Sequence, residues 1–82
     1  MGLIMNWKEH IVVNPEVLAG KPIVKGTRLS IEFLLGLLAN GWTTDKILQN
    51  YPQLSAMDLQ AVFSFAQDCL QDEEYVMIKK AS

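Results

Sequence analysis

Eighty-two residues, half of them apolar and with a formal net charge of −2, supply one domain. A chain this short buries only about 60 to 65% of its unfolded surface, so the apolar excess predicts a homodimer or larger oligomer that hides it. The acidic balance excludes a generic nucleic-acid binder, which carries a broad basic excess. The longest apolar run, Phe33 to Ala39, is seven residues with Gly36 inside it, far short of the ~20 of a membrane span.

The start of the chain, Met1 to Trp7, is apolar but too short for a secretory core, and no small-residue cleavage site follows. Gly2 has Asn6 where a myristoylation signal carries Ser or Thr. Cys69 is the single cysteine, so no intrachain disulfide forms and the chain reads as reduced and cytoplasmic.

Ile11-Val12-Val13 is a β-branched run stopped by Asn14-Pro15, and it predicts a first strand. Pro15 to Gly20 reads as a turn, with one helical turn started by Pro15. The next nine residues, Gly20 to Arg28, hold two of the five glycines, one of the three prolines, two of the six lysines and the sole arginine. Turn residues around Ile23-Val24 predict a second strand or hairpin, drawing on Ile23-Val24 and Thr27 to Leu29. Two short strands are marginal in water, so they are expected to pack on helices or on a second subunit.

A first helix is predicted from about Ile31 to Ala39, capped by Ser30, with Glu32 in its first turn and Asn40-Gly41 as its stop. Its apolar residues surround the axis, which predicts burial on most sides. A second helix is expected from about Thr44 to Asn50, capped by Thr43 and ended by Tyr51-Pro52, with Ile47 and Leu48 facing inward. The third runs from about Ala56 to Gln71. Ser55 and Asp58 have capping-box spacing, and Leu59, Val62, Phe63, Ala66 and Leu70 form its expected core stripe. Asp72-Glu73-Glu74 is either a solvated helix end or an acidic face for a basic partner, since acids there oppose the helix dipole. The segment from Tyr75 to Lys80 reads as a last strand or a frayed end.

The fold class that follows is mainly α: a trihelical, helix-turn-helix-like (homeodomain-like) body with a short N-terminal β-hairpin element. A single domain over residues 1–82 divides into a β-element at about 7–29, three helices at about 30–72 and a tail at 73–82.

The run GKPIVKGTR, with Asn40-Gly41-Trp42-Thr43-Thr44-Asp45-Lys46-Ile47-Leu48 and Tyr51-Pro52-Gln53-Leu54, resembles a family of small bacterial proteins catalogued as a domain of unknown function. The resemblance covers roughly residues 11 to 72. Members of that family look like antitoxins and are often encoded beside a toxin of the PIN-nuclease-like type. The resemblance implies a helix-turn-helix-like body and an antitoxin-like role.

Lys21, Lys25, Gly26, Thr27 and Arg28 are the candidate partner- or DNA-binding residues. The glycines let backbone approach a ligand, and Arg28 can grip a carboxylate or phosphate with two prongs. An architectural reading stands beside this one. In it Gly26 serves a positive-φ turn, Pro22 fixes the strand entry, Thr27 caps locally, Arg28 pairs with an acid such as Glu32, and Lys21 and Lys25 are solvated. If the loop meets DNA, three cations per subunit of a dimer give a salt slope of about −5. The third helix has a groove-entering position but lacks Arg and Lys between Ala56 and Gln71, so it is a poor DNA reader.

Catalysis is not expected. His10 has only Glu9 as a local acid and reads as a surface or packing residue. Cys69 reads as an inert buried thiol, and no metal-ligand spacing or cofactor motif is present. Phe65, off the expected stripe, is the candidate exposed or dimer-buried aromatic, whereas Trp42 is expected to pack beside its turn. The function that follows is a non-enzymatic binding module: an antitoxin-like partner of a PIN-like toxin, whose basic loop contacts either the partner or operator DNA. The alternatives are a stand-alone transcription regulator and an oligomerisation domain without ligand.

Overall fold

The computed structural model describes residues 6–81, with side-chain surroundings described through Gln71. The apolar opening at Met1 to Met5 lies outside the described residues. Strand β1 (Ile11–Val13) pairs antiparallel with β2 (Pro22–Val24), and three helices follow: α1 (Ile31–Ala39), α2 (Thr44–Asn50) and α3 (Ala56–Ala81).

The register sets Ile11 opposite Val24 and Val13 opposite Pro22. Proline thus takes the first place of its strand, where a missing N–H costs least. Ile11 and Val24 are buried in the core, while Val13 is exposed. Thr27 to Leu29, expected to extend this strand, forms a turn instead. The Thr27 and Leu29 backbones both bond back to Val24, and beyond them Ile23 makes an isolated bridge to Ser30. Gly26 at φ +81 sets this reversal, which leaves too few extended residues for a third strand.

The helical turn expected at Pro15 is not there. Asn14 makes the turn, accepting the Glu16 amide on its side chain and the Val17 amide on its carbonyl. Leu18 (φ 50), Ala19 (φ 56) and Gly20 (φ 83) then follow in succession, all left-handed.

Ser30 and Thr43 cap α1 and α2, accepting the amides of Phe33 and Lys46. Gly41 at φ +94 ends α1. The core joins Ile11, Val24, Ile31, Leu34, Ile47, Leu54, Leu59 and Val62. Helix α1 is buried or half-buried on most sides, as expected: Ile31 and Leu34 are enclosed and Leu35, Leu37 and Leu38 are partly buried against the core, but Phe33 is 43% exposed.

The axial rotation of α3 also differs from the expected stripe. Leu59, Ala61 and Val62 are buried, and Phe65 meets the edge of Trp7 at 4.8 Å between ring centres. Phe63 and Leu70 are exposed. A 3-10 turn at Trp7–Glu9 packs on α3. The Trp7 indole N–H donates to Asp68 at 2.6 Å. This distant aromatic draws Phe65 inward and turns Phe63 out. Cys69, expected to be buried, is exposed. Helix α3 also runs through the expected tail to Ala81 and so includes Lys79 and Lys80.

Candidate functional site

The basic segment is held by its own backbone. The Thr27 hydroxyl donates to the Val24 carbonyl at 2.8 Å and accepts the Leu29 amide at 3.0 Å, tying both ends of the turn at Gly26. Arg28 projects from this clamp. It is exposed and makes no ion pair among the described residues. The acid expected for Arg28 is taken by Lys21, whose ammonium lies 2.9 Å from Glu32. Lys21 therefore is not simply solvated. Its hydrogen bond, and then its charge, lower the Glu32 carboxyl below the ordinary value. Both groups are open to water, so the pair adds little stability.

Lys21 and Arg28 line one open groove of about 450 Å³ with Leu18, Leu29, Ser30 and Phe33. A second depression of about 420 Å³ adjoins it, shares Lys21, Ser30 and Phe33, and continues along α1 to Asn40. Lys25 lines neither. Its amide is spent on the His10 carbonyl, and its side chain is exposed. The five candidate residues thus divide: Arg28 and Lys21 form the groove, Gly26 and Thr27 shape the turn that presents Arg28, and Lys25 stands outside.

The sequence reading missed Leu18 and Phe33. Both are large apolar residues left 44% and 43% exposed at the groove. Leu18 reaches it through the left-handed turn, a backbone state that costs an L-residue roughly 1–2 kcal/mol. The only sequence sign of that turn is Gly20. Phe33 is set by the phase of α1, with its ring edge-on to Tyr51 at 5.9 Å.

His10, which lacks an acid nearby in sequence, meets one in space. Its Nδ1 donates to Asp58 at 2.9 Å. Asp58 also accepts the Ser55 amide and gives its own amide to the Ser55 hydroxyl, the capping box expected at the head of α3. Partial burial is the largest influence on the Asp58 carboxyl and raises it. The Ser55 amide, His10 and the Ser55 hydroxyl together outweigh it and hold the carboxyl below its ordinary value. This acid is occupied in fixing the head of α3. Among the described residues no three His, Cys, Asp or Glu side chains gather as metal ligands, and no helix is long and apolar enough to cross a membrane.

A family model described as "Protein of unknown function (DUF433)" matches residues 11–66. The uncharacterized protein y4eO of Sinorhizobium fredii is 27% identical over 60 residues, which is 73% of this chain and 27% of that protein. The chain thus spans about a quarter of the length of this curated relative. The crystal structure of a DUF433 member protein from Anabaena variabilis superposes with a TM-score of 0.69 at 28% identity, covering 88% of this chain and 68% of that one.

Proposed function

This chain belongs to the DUF433 family, and on that premise we propose that it is a non-enzymatic, cytoplasmic binding module, the antitoxin-like half of a pair whose other half is a PIN-type nuclease. The observation that carries this reading is Arg28, held out by a tied turn, without an acid among the described residues, beside exposed Leu18 and Phe33. A charge set among exposed apolar residues is how protein interfaces are anchored: the apolar groups supply area and the arginine direction.

The module acts as a homodimer. Phe63 and Leu70 on α3 lie apart from the groove and are 46% and 53% exposed, an apolar surface suited to a second copy.

Co-expression with the protein encoded beside this chain tests the central claim. The two are expected to co-purify, and Arg28→Glu is expected to abolish this. Failure of the native chain to retain its neighbour overturns the antitoxin reading.

Operator binding is a second reading, favoured by α2 and α3 with their five-residue link, Tyr51 to Ser55. The α3 head offers Ala56, Met57 and Gln60 to a groove, with Asp58 tied to His10 and Ser55. Lys79 and Lys80 lie at the far end of the helix, roughly 30–35 Å away at 1.5 Å per residue. With Lys21 held by Glu32, two loop cations per subunit remain. A dimer would then show a salt slope of about −3.6, below that of a dedicated DNA reader. Absence of a mobility shift with its own promoter at low salt removes this reading.

A further inference from the structure

We propose that the groove between the left-handed turn and α1 takes a short acidic, amphipathic segment of the partner protein, one carboxylate on Arg28 and an adjacent apolar side chain between Leu18 and Phe33. This rests on the partner-binding reading above and names the chemistry that site selects.

Charge balance favours an acid at Arg28. Of the two cations in the groove, Lys21 has its counter-ion in Glu32 at 2.9 Å, and Arg28 has none among the described residues. A guanidinium binds a carboxylate with two parallel hydrogen bonds, which fix orientation as well as energy. The walls select the rest of the ligand. Leu18 and Phe33 are large, apolar and nearly half exposed, and Leu29 lines the groove with them, so a purely ionic ligand leaves them wet.

The shape points to a peptide. The depression is open, and its continuation along α1 past Gly36 to Asn40 gives a track for a segment several residues long. Nucleic acid fits worse. Its charge repeats at every phosphate and would also meet Glu32 in the adjoining depression, whereas a segment with its one carboxylate on Arg28 places neutral residues there.

The strained turn supports the same assignment. Leu18 and Ala19 are both non-glycine residues in left-handed backbone, and strain of this kind persists where surrounding structure over-determines it. Here it brings Leu18 to the groove wall.

The test is a titration of the isotope-labelled full chain, followed at backbone amides. The probe is a short acetylated, amidated peptide alternating aspartate or glutamate with leucine and phenylalanine. Its counterpart carries asparagine and glutamine instead, and inorganic phosphate and a short DNA duplex serve as competing probes. The acidic peptide is expected to shift the amides of Arg28, Leu29 and Phe33. The neutral peptide should bind about tenfold more weakly, and so should Arg28→Gln toward the acidic peptide, the worth of one charge-assisted contact. Phe33→Ser should weaken it independently, and Lys8→Gln, which removes a distant charge, should leave it unchanged.

Absence of shifts at these amides overturns the assignment. So does equal binding of the neutral peptide, retention of binding by Arg28→Gln, or stronger displacement by phosphate or the duplex. If groove binding fails while the neighbour-encoded protein still co-purifies, the partner reading stands and its surface lies elsewhere. If the peptide binds but that protein does not co-purify, the groove chemistry stands and the antitoxin role falls.

Discussion

Ala19 occupies φ 56 and ψ 33, where a Cβ crowds the following carbonyl at a cost of roughly 1–2 kcal/mol. Its side chain is exposed. Ala19→Gly, a change that costs about 1 kcal/mol inside a helix, is therefore expected to leave stability unchanged or raise it by up to ~1 kcal/mol in a urea melt. A loss of helical size would remove the strain argument. Asp58 tests the head of α3. Asp58→Ala deletes a cap and strips His10 of its partner, with an expected loss of about 1–2 kcal/mol. Because the folded carboxyl lies below its ordinary value, its contribution is complete above the unfolded value. It fades as pH falls through the folded one. The gap between native and variant urea midpoints should accordingly narrow in acid, and a gap that stays constant would contradict the linkage. Arg28 was visible as chemistry because it is the sole arginine, two residues after Gly26. Its neighbours Leu18 and Phe33 were not, since no local pattern marks a residue left exposed by strain or by helix phase.

At the scale of elements, Ser30, Thr43 and the Ser55–Asp58 box start the three helices where cap chemistry places them. These signals are local: a side-chain oxygen reaches an amide two or three residues on, whatever the rest of the chain does. The faces of the helices are another matter. On α3, residues 63 and 65 point about 200° apart, so a single contact with Trp7 decides which is inside. A stripe of apolar residues could not locate that contact, because Trp7 is some sixty positions away. The same logic fixes Leu34 at the centre, fully enclosed against β2 and α3 elements. Leu34→Ala should cost roughly 2–5 kcal/mol by leaving a cavity, a large share of the stability of so small a domain. Retention of the native denaturation midpoint would show that α1 is not the core element described.

For the whole molecule, apolar residues left outside the core are the feature that needs an explanation. Phe63 and Leu70 sit on the side of α3 opposite Phe65, and Leu18 and Phe33 at the groove. If α3 pairs with a second copy, the native chain sediments at twice its 9.2 kDa mass. The paired change Phe63→Glu and Leu70→Glu then yields a folded monomer that still binds the acidic peptide. An unchanged mass would place the dimer surface elsewhere. The sequence by itself determined the mainly helical class, the strand at Ile11–Val13, the three helix starts and the turn at Gly26, all governed by contacts within a few residues. Tertiary structure alone decided which helix faces are wet, that Glu32 serves Lys21 and not Arg28, that Asp58 holds His10, and that Leu18 and Phe33 line one groove. Each of those depends on groups brought together only when separate elements pack, and no short-range pattern in the chain encodes that meeting.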